Sequence, residues 1–137
     1  MIYVFDTSFV GALIIPDEKN QQADKMYAGI ENEDEKYAPF LLWYEITNLF
    51  RNLVRHNRFN VDSVMYFYPR LAAIRLTFDH EKGIEYSKKL LRLCSDYNLS
   101  SYDSAYLELA DRKKAVLCTL DKKLRAAAEK YGVAVIK

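Results

Sequence analysis

Four carboxylates stand where a carboxylate is costly. Asp6 directly follows the apolar run Ile2-Tyr3-Val4-Phe5, and Asp121 follows Ala115-Val116-Leu117-Cys118-Thr119-Leu120 in the same way. Short apolar runs rich in β-branched and aromatic residues read as buried strands, so each acid is expected where a strand ends. The other two acids lie on helical patterns. Across residues 40–56 the apolar face is Leu42, Ile46, Leu49, Phe50 and Leu53, and Glu45 falls roughly 40° from Leu49 around the helix. Across residues 101–113 the stripe at i, i+3, i+4 and i+7 is Asp103, Tyr106, Leu107 and Ala110, which puts an acid in a core-facing slot.

Each acid also has an ordinary explanation. Asp, Ser and Thr favour helix N-caps, an acid in a first turn gains up to about 1 kcal/mol from the helix dipole, and Glu45 can reach past an apolar edge into water. None of these explains why Asp103 faces inward. If all four share one crevice, repulsion and desolvation force either proton uptake or a cation among them. An all-oxygen donor set with no His or Cys suits Mg²⁺ or Mn²⁺. Thr7, Ser8 and Thr119 sit beside these acids, with hydroxyls able to orient them. His56 and His80 fall at helix ends, and neither a Gly-rich phosphate loop nor a Ser/His/Asp or Cys/His nucleophile pattern is present.

The elements that must position the acids follow from the same periodicities. Ile2–Phe5, Ile74–Phe78, Ala115–Leu120 and Val133–Ile136 read as strands, with a weaker one at Tyr37–Ala38 ahead of Pro39. Helices are expected over residues 20–30, 40–56, 61–72, 81–97, 101–113 and 122–131, with a short one over 9–15 and Gly132 as the last helix's stop. Strands alternating with helices predict the α/β class: a central, mainly parallel sheet of four or five strands between two helical layers. A chain of 137 residues is the size of one domain, expected to span 1–137.

Composition narrows the setting. Half the residues are hydrophobic and 14% are aromatic, enough for a core without disulfides or a structural metal. The net charge of +1 does not announce a nucleic-acid partner, though charge can segregate by face. Cys94 and Cys118 are too few for a disulfide framework or a zinc site, which suggests a reducing compartment. Asp6 interrupts what would otherwise open a signal peptide, and no apolar run reaches bilayer length; a cytoplasmic protein without a membrane partner is expected.

With those residues in place, the chain resembles the PIN-domain ribonucleases, most of all the VapC toxins of prokaryotic toxin–antitoxin pairs. The resemblance rests on V-F-D-T-S at the start, Y-E-I-T-N, S-S-Y-D-S-A-Y-L-E-L-A and C-T-L-D-K-K-L, in that order across essentially the whole chain. It implies a small PIN-like α/β/α domain, an acidic pocket holding one or two Mg²⁺ or Mn²⁺ ions, and hydrolysis of RNA phosphodiester bonds. Asp6, Glu45, Asp103 and Asp121 match the catalytic, metal-binding acids, and Thr7, Ser8 and Thr119 the supporting hydroxyls. Some members carry a further acid after the fourth; here Lys122, Lys123, Leu124 and Arg125 follow Asp121, leaving the number of metals open. The resemblance also implies a small antitoxin lying across the pocket and a homodimer.

Asn48 and Asn52 flank Glu45 on its helix as possible substrate contacts. Arg51 begins a basic stripe with Arg55 and Arg58 that either contacts a phosphate backbone or is a solvated face. Two competing readings differ in class. One is an Asp-based phosphotransfer domain, although Ser8 stands where a dehalogenase-like second Asp is required. The other is a catalytically silent PIN-like module that binds RNA or protein, against which stands the retention of all four acids.

Overall fold

In the computed structural model, which describes residues 1–16 and 20–137, four strands form one parallel sheet: β1 (Ile2–Phe5), β2 (Glu35–Pro39), β3 (Thr77–Asp79) and β4 (Val116–Cys118). Their order is β3-β2-β1-β4. Val4 pairs with Tyr37 on one side and Leu117 on the other, and Pro39 pairs with Asp79 at the far edge. Successive residues of a strand face opposite sides of a sheet, and Val4 and Phe5 are both fully buried; both faces of the centre are therefore covered. The chain leaves β1 for β2 and β3, then returns to the other side of β1 for β4. That reversal between β1 and β4 is a topological switch point, outside whose carboxyl ends α/β sheets form their crevices.

Eight helices are described: α1 (Thr7–Ile14), α2 (Gln21–Ala28), α3 (Leu42–Arg55), α4 (Val61–Met65), α5 (Tyr68–Ile74), α6 (Ile84–Tyr97), α7 (Ser101–Lys113) and α8 (Lys122–Tyr131). Helix α7 lies against β1, β2 and β4 and packs with α6 and α8, while α1 meets α2, α3 and α5. The periodic face read along α3 is the one that is buried, through Leu42, Ile46, Phe50 and Leu53. Gly11 lets α1 and α3 close on each other, since a Cβ there would sit 3.0 Å from Leu49 Cδ2. None of the described helices is long and apolar enough to cross a membrane.

The structure departs from the sequence expectations at three places. Residues 61–72 form two helices, because α5 restarts with Pro69 in its first turn, where a missing N–H costs nothing. Ile74 ends α5 instead of opening a strand; Arg75 takes a left-handed conformation (φ 61°) and β3 begins only at Thr77. Val133–Ile136 makes a single bridge, Leu117 to Val135, so among the described residues the sheet has four strands. The weak Tyr37–Ala38 signal, by contrast, belongs to the interior strand β2.

Candidate active site

Asp6 leaves the carboxyl end of β1 and caps α1, its Oδ1 accepting from Phe9 N–H at 2.9 Å. The capping role that an acid at a strand end can take is thus filled by Asp6. The same carboxylate receives two hydroxyls: Ser8 Oγ–H donates to Oδ1 at 2.7 Å, and Thr119 Oγ1–H donates to Oδ2. Each hydroxyl oxygen in turn accepts a backbone N–H from the loop after β4, Leu120 to Ser8 at 2.9 Å and Asp121 to Thr119 at 3.0 Å. The two hydroxyls therefore tie Asp6 to the end of β4 across the switch point. Three donors converge on one carboxylate, an arrangement that favours its ionised form. Burial outweighs them: Asp6 is 4% exposed, and desolvation, aided by the nearby Asp121, pushes its pKa up to about 6.

Glu45 projects from the first turn of α3 toward the other side of Thr7. Thr7 Oγ1–H donates to Glu45 Oε1 at 2.9 Å and Tyr106 Oη–H donates to the same oxygen at 2.6 Å, with the two hydroxyls 2.9 Å apart. Both bonds fall on Oε1. Tyr106 is buried in α7, and burial together with the Glu45 charge and hydrogen bond drives its phenol well above the ordinary value; it stays a neutral donor.

Asp103, half-buried in the first turn of α7, follows the cap that Ser100 Oγ makes to its N–H at 3.1 Å. Its pKa is raised by burial, by Asp121 and by Glu45, with Lys123 opposing. Asp121 is exposed and caps α8 through Leu124 N–H at 2.9 Å. Arg125 reaches back to Thr119 O at 3.2 Å, fixing the loop that carries Thr119 and Asp121.

Electrostatic coupling links the four acids in a chain: Asp6 senses Asp121, and Asp103 senses both Asp121 and Glu45. Among the described residues none of the four forms an ion pair. Nor do three Asp, Glu, His or Cys side chains of the described residues form a ready-made metal cage. The donor set nevertheless fits a hard divalent cation that keeps part of its water shell, as Mg²⁺ does with only one or two carboxylates. The unbalanced negative charge around a desolvated Asp6 is what such an ion relieves.

A groove of about 580 Å³ opens beside Glu45, lined by Thr7, Leu41, Tyr44, Glu45, Asn48, Leu49, Asn52 and Tyr102. Asn48 and Asn52 lie where the helical spacing puts them, while Arg51 is exposed and outside the groove lining. Sequence reasoning missed three residues here. Tyr106 carries only a core signal in the sequence, because its ring fills an apolar slot. Tyr44 and Tyr102 each immediately precede a site acid, in W-Y-E and S-Y-D, and that repeated pairing was the available signal.

Comparison with known proteins gives the family. The PIN domain family model matches residues 3–130. Ribonuclease VapC3 of Pyrobaculum aerophilum is 27% identical over 135 residues, covering 98% of each chain. Among solved structures, the Mycobacterium tuberculosis VapC20, described as a sarcin-ricin loop cleaving toxin, superposes with a TM-score of 0.67 at 17% identity, over 98% of this chain and 97% of that one. A toxin–antitoxin complex from Klebsiella pneumoniae superposes with a TM-score of 0.64 at 15% identity, over 98% and 96%. The matched region contains the buried Asp6, the Glu45–Tyr106 pair, Asp103 and Asp121, and by it this chain belongs to the PIN domain family.

Proposed function

We propose that this PIN domain is a divalent-metal-dependent endoribonuclease, the toxin of a toxin–antitoxin pair. The observation that carries the reading is the uncompensated acidity at the switch point: four carboxylates, of which Asp6 and Asp103 have pKa values raised by burial and by Asp121, with Glu45 adding to Asp103, and no ion pair to any of them among the described residues. The resemblance to VapC ribonucleases and to a toxin–antitoxin complex supports the biological role.

Asp6, Glu45 and Asp103 would hold Mg²⁺ or Mn²⁺, with Asp121 binding directly or through water. When bound, the ion supplies Lewis acidity that activates water and offsets charge on the phosphate. Ser8 and Thr119 fix the two oxygens of Asp6, and Thr7 and Tyr106 fix Glu45 Oε1, as outer contacts orient metal-binding carboxylates. No side-chain nucleophile is needed: with water attacking the phosphorus and the 3′ oxygen leaving, the products should carry 5′-phosphate and 3′-hydroxyl ends. The single domain 1–137 would pair with itself as a homodimer and be silenced by a small antitoxin lying across the pocket.

The test is incubation of the purified protein with single-stranded and structured RNAs plus Mg²⁺ or Mn²⁺. Asp6→Asn and Asp103→Asn are each expected to lower cleavage at least ~10³-fold, the loss of several kcal/mol of charge stabilisation. Cleavage that survives EDTA or both substitutions would sink the assignment. Calorimetric titration with Mn²⁺ separates it from a silent binding module, which has no need of the ion.

A further inference from the structure

Lys113, Lys114, Lys122, Lys123 and Arg125 make a basic stretch of the sequence, and β4 divides it. Lys113 and Lys114 close α7 before the strand, at the amino-terminal end of the sheet; Lys122, Lys123 and Arg125 open α8 after it, at the end that carries the acids. The two groups stand in opposite electrostatic settings. A helix C-terminus favours cations, and the first pair is also engaged: Lys114 bridges to Asp111 at 3.6 Å, and Lys113 Nζ lies 4.6 Å from the centre of the Tyr37 ring. A helix N-terminus disfavours cations, yet Lys122 and Lys123 are the first two residues of α8, both exposed, with no acid in that turn. Among the described residues neither forms an ion pair. Arg125 is half-buried and gives a donor to Thr119 O.

An exposed lysine ordinarily needs no reason beyond solvation. One at the positive end of a helix, beside acids it does not pair with, needs another. Lys123 follows the Asp121 cap by two residues, and its charge acts on Asp103, whose carboxyl it pulls down against the other acids. Its ammonium therefore stands near the acids without being taken up by any of them. Lys122 is placed differently: at about 100° per residue it falls on the side of α8 opposite the buried Leu124. The groove beside Glu45 lies on the β2 side of Asp6, where α3 begins, whereas α8 begins on the β4 side. We propose that Lys123 binds a backbone phosphate of the RNA, the one next to the phosphate being cut, where the strand leaves the acids on the β4 side. A lysine suits that task as a point charge on a flexible stem, and a phosphate contact sets register without reading bases. This deepens the ribonuclease reading and rests on it.

The experiment uses the full chain with a fluorescein-labelled RNA that the wild type cleaves. Anisotropy in EDTA reads affinity across about 50 to 200 mM salt, and steady-state cleavage with Mn²⁺ reads kcat and KM. Lys123→Ala and Lys123→Met should each weaken binding ~10-fold at the low-salt end. The slope of log affinity against log salt should become shallower by about 1, and RNAs of different sequence should lose equally. KM should rise in step while kcat changes less. Lys123→Arg keeps the charge and should bind within about threefold of wild type. Lys130→Ala removes the same charge from the far end of α8 and should leave affinity and slope near wild type; circular dichroism checks that each variant folds. Wild-type affinity and slope in both neutral variants, with cleavage still dependent on Asp103, would remove the phosphate contact and leave the ribonuclease reading standing. Equal losses in Lys123→Ala and Lys130→Ala would reduce the effect to net charge and also overturn it. A changed Mn²⁺ affinity with unchanged RNA affinity would make Lys123 a counter-charge to Asp103 and overturn the contact as well. No cleavage of any RNA by wild type with either metal would remove the reading beneath it, and the proposal with it.

Discussion

Asp6 and Asp79 each stand at the carboxyl end of a strand in the same sheet, one at its centre and one at its edge, and their charges are resolved in opposite ways. Asp79 receives the Arg112 guanidinium in a two-pronged contact, Nη1 to Oδ1 at 3.0 Å and Nη2 to Oδ2 at 2.7 Å. The same guanidinium is shared with the buried Glu108, whose oxygens accept from Nε at 2.9 and 3.1 Å and from Nη2 at 2.9 Å. Arg112 holds the Asp79 carboxyl below its ordinary value, and the two acids hold Arg112 firmly protonated. Asp6 has hydroxyls and a backbone N–H but no cation, and its pKa goes up. The edge acids share a cation from within the chain; among the described residues the central ones form no ion pair. A carboxylate after a strand is thus not a site by position alone; what marks the site is the missing counter-charge.

The sharpest way to break that comparison is to remove the edge's internal cation. Arg112→Leu leaves Glu108 and Asp79 desolvated without their shared cation, and should cost about 3–5 kcal/mol of stability, as breaking buried pairs does. Urea unfolding measures the cost. Cleavage per folded molecule should be little changed, since Arg112 contacts none of the four central acids. A loss of activity without a loss of stability would mean the edge network belongs to the site.

The metal-free protein offers the converse test at the centre. The folded-state pKa of Asp6 is about 6 against an ordinary 3.8, so between those values the folded state binds more proton than the unfolded state. Its contribution to stability is therefore greatest below pH 4 and declines as pH rises through 6, by up to roughly 3 kcal/mol. Asp103 shifts in the same direction. Urea unfolding in EDTA should show this slope in wild type and a flatter one in Asp6→Asn. Added Mn²⁺ should stabilise wild type more at pH 7.5 than at pH 5, because the ion competes with the proton. A stability that rises between pH 4 and 6 to the same degree in both proteins would show that Asp6 is not the strained group.

How much of this the amino-acid order discloses depends on whether a residue's reason is local. Asp6, Asp103 and Asp121 were legible because a strand end or a helical slot is set by near neighbours; α7 and α8 run over the expected residues for the same reason. Asp79 carries the same strand-end signal as Asp6, following Ile74–Phe78. Its partner lies 33 residues away, so neither its presence nor its neutralisation is visible from spacing. Residues 74–76 continue the apolar pattern of α5 toward β3, and only the left-handed turn at Arg75 separates them. Tyr106 hid for a different reason. Its ring accounts for its place in the core stripe, while its hydroxyl acts on Glu45, 61 residues earlier.

Tyr106→Phe isolates that hydroxyl. The ring still fills its slot, but Glu45 Oε1 keeps only Thr7 as a donor, and the carboxylate is less firmly aimed. Outer contacts of this kind change metal affinity or activity by about 10–100-fold when removed, and the lower end is expected here because Thr7 remains. Mn²⁺ titration and kcat should fall together, with unfolding little altered. Unchanged Mn²⁺ affinity would show that Tyr106 serves packing alone.

The smallest effect separates cap from charge at Asp121, where the two roles coincide in one exposed side chain. Asn caps a helix about as well as Asp, and Ala loses about 1 kcal/mol. Asp121→Asn should therefore unfold within about 0.5 kcal/mol of wild type, while Asp121→Ala loses the Leu124 N–H bond and unfolds more easily. If Asp121 adds negative charge to the central acids, both substitutions should bring the raised pKa values of Asp6 and Asp103 down, since Asp121 is a cause of each shift. The stability slope of the metal-free protein between pH 4 and 6 should then be shallower in Asp121→Asn than in wild type. An unaltered slope with an intact cap would assign Asp121 to the helix alone and leave the uncompensated charge to Asp6, Glu45 and Asp103.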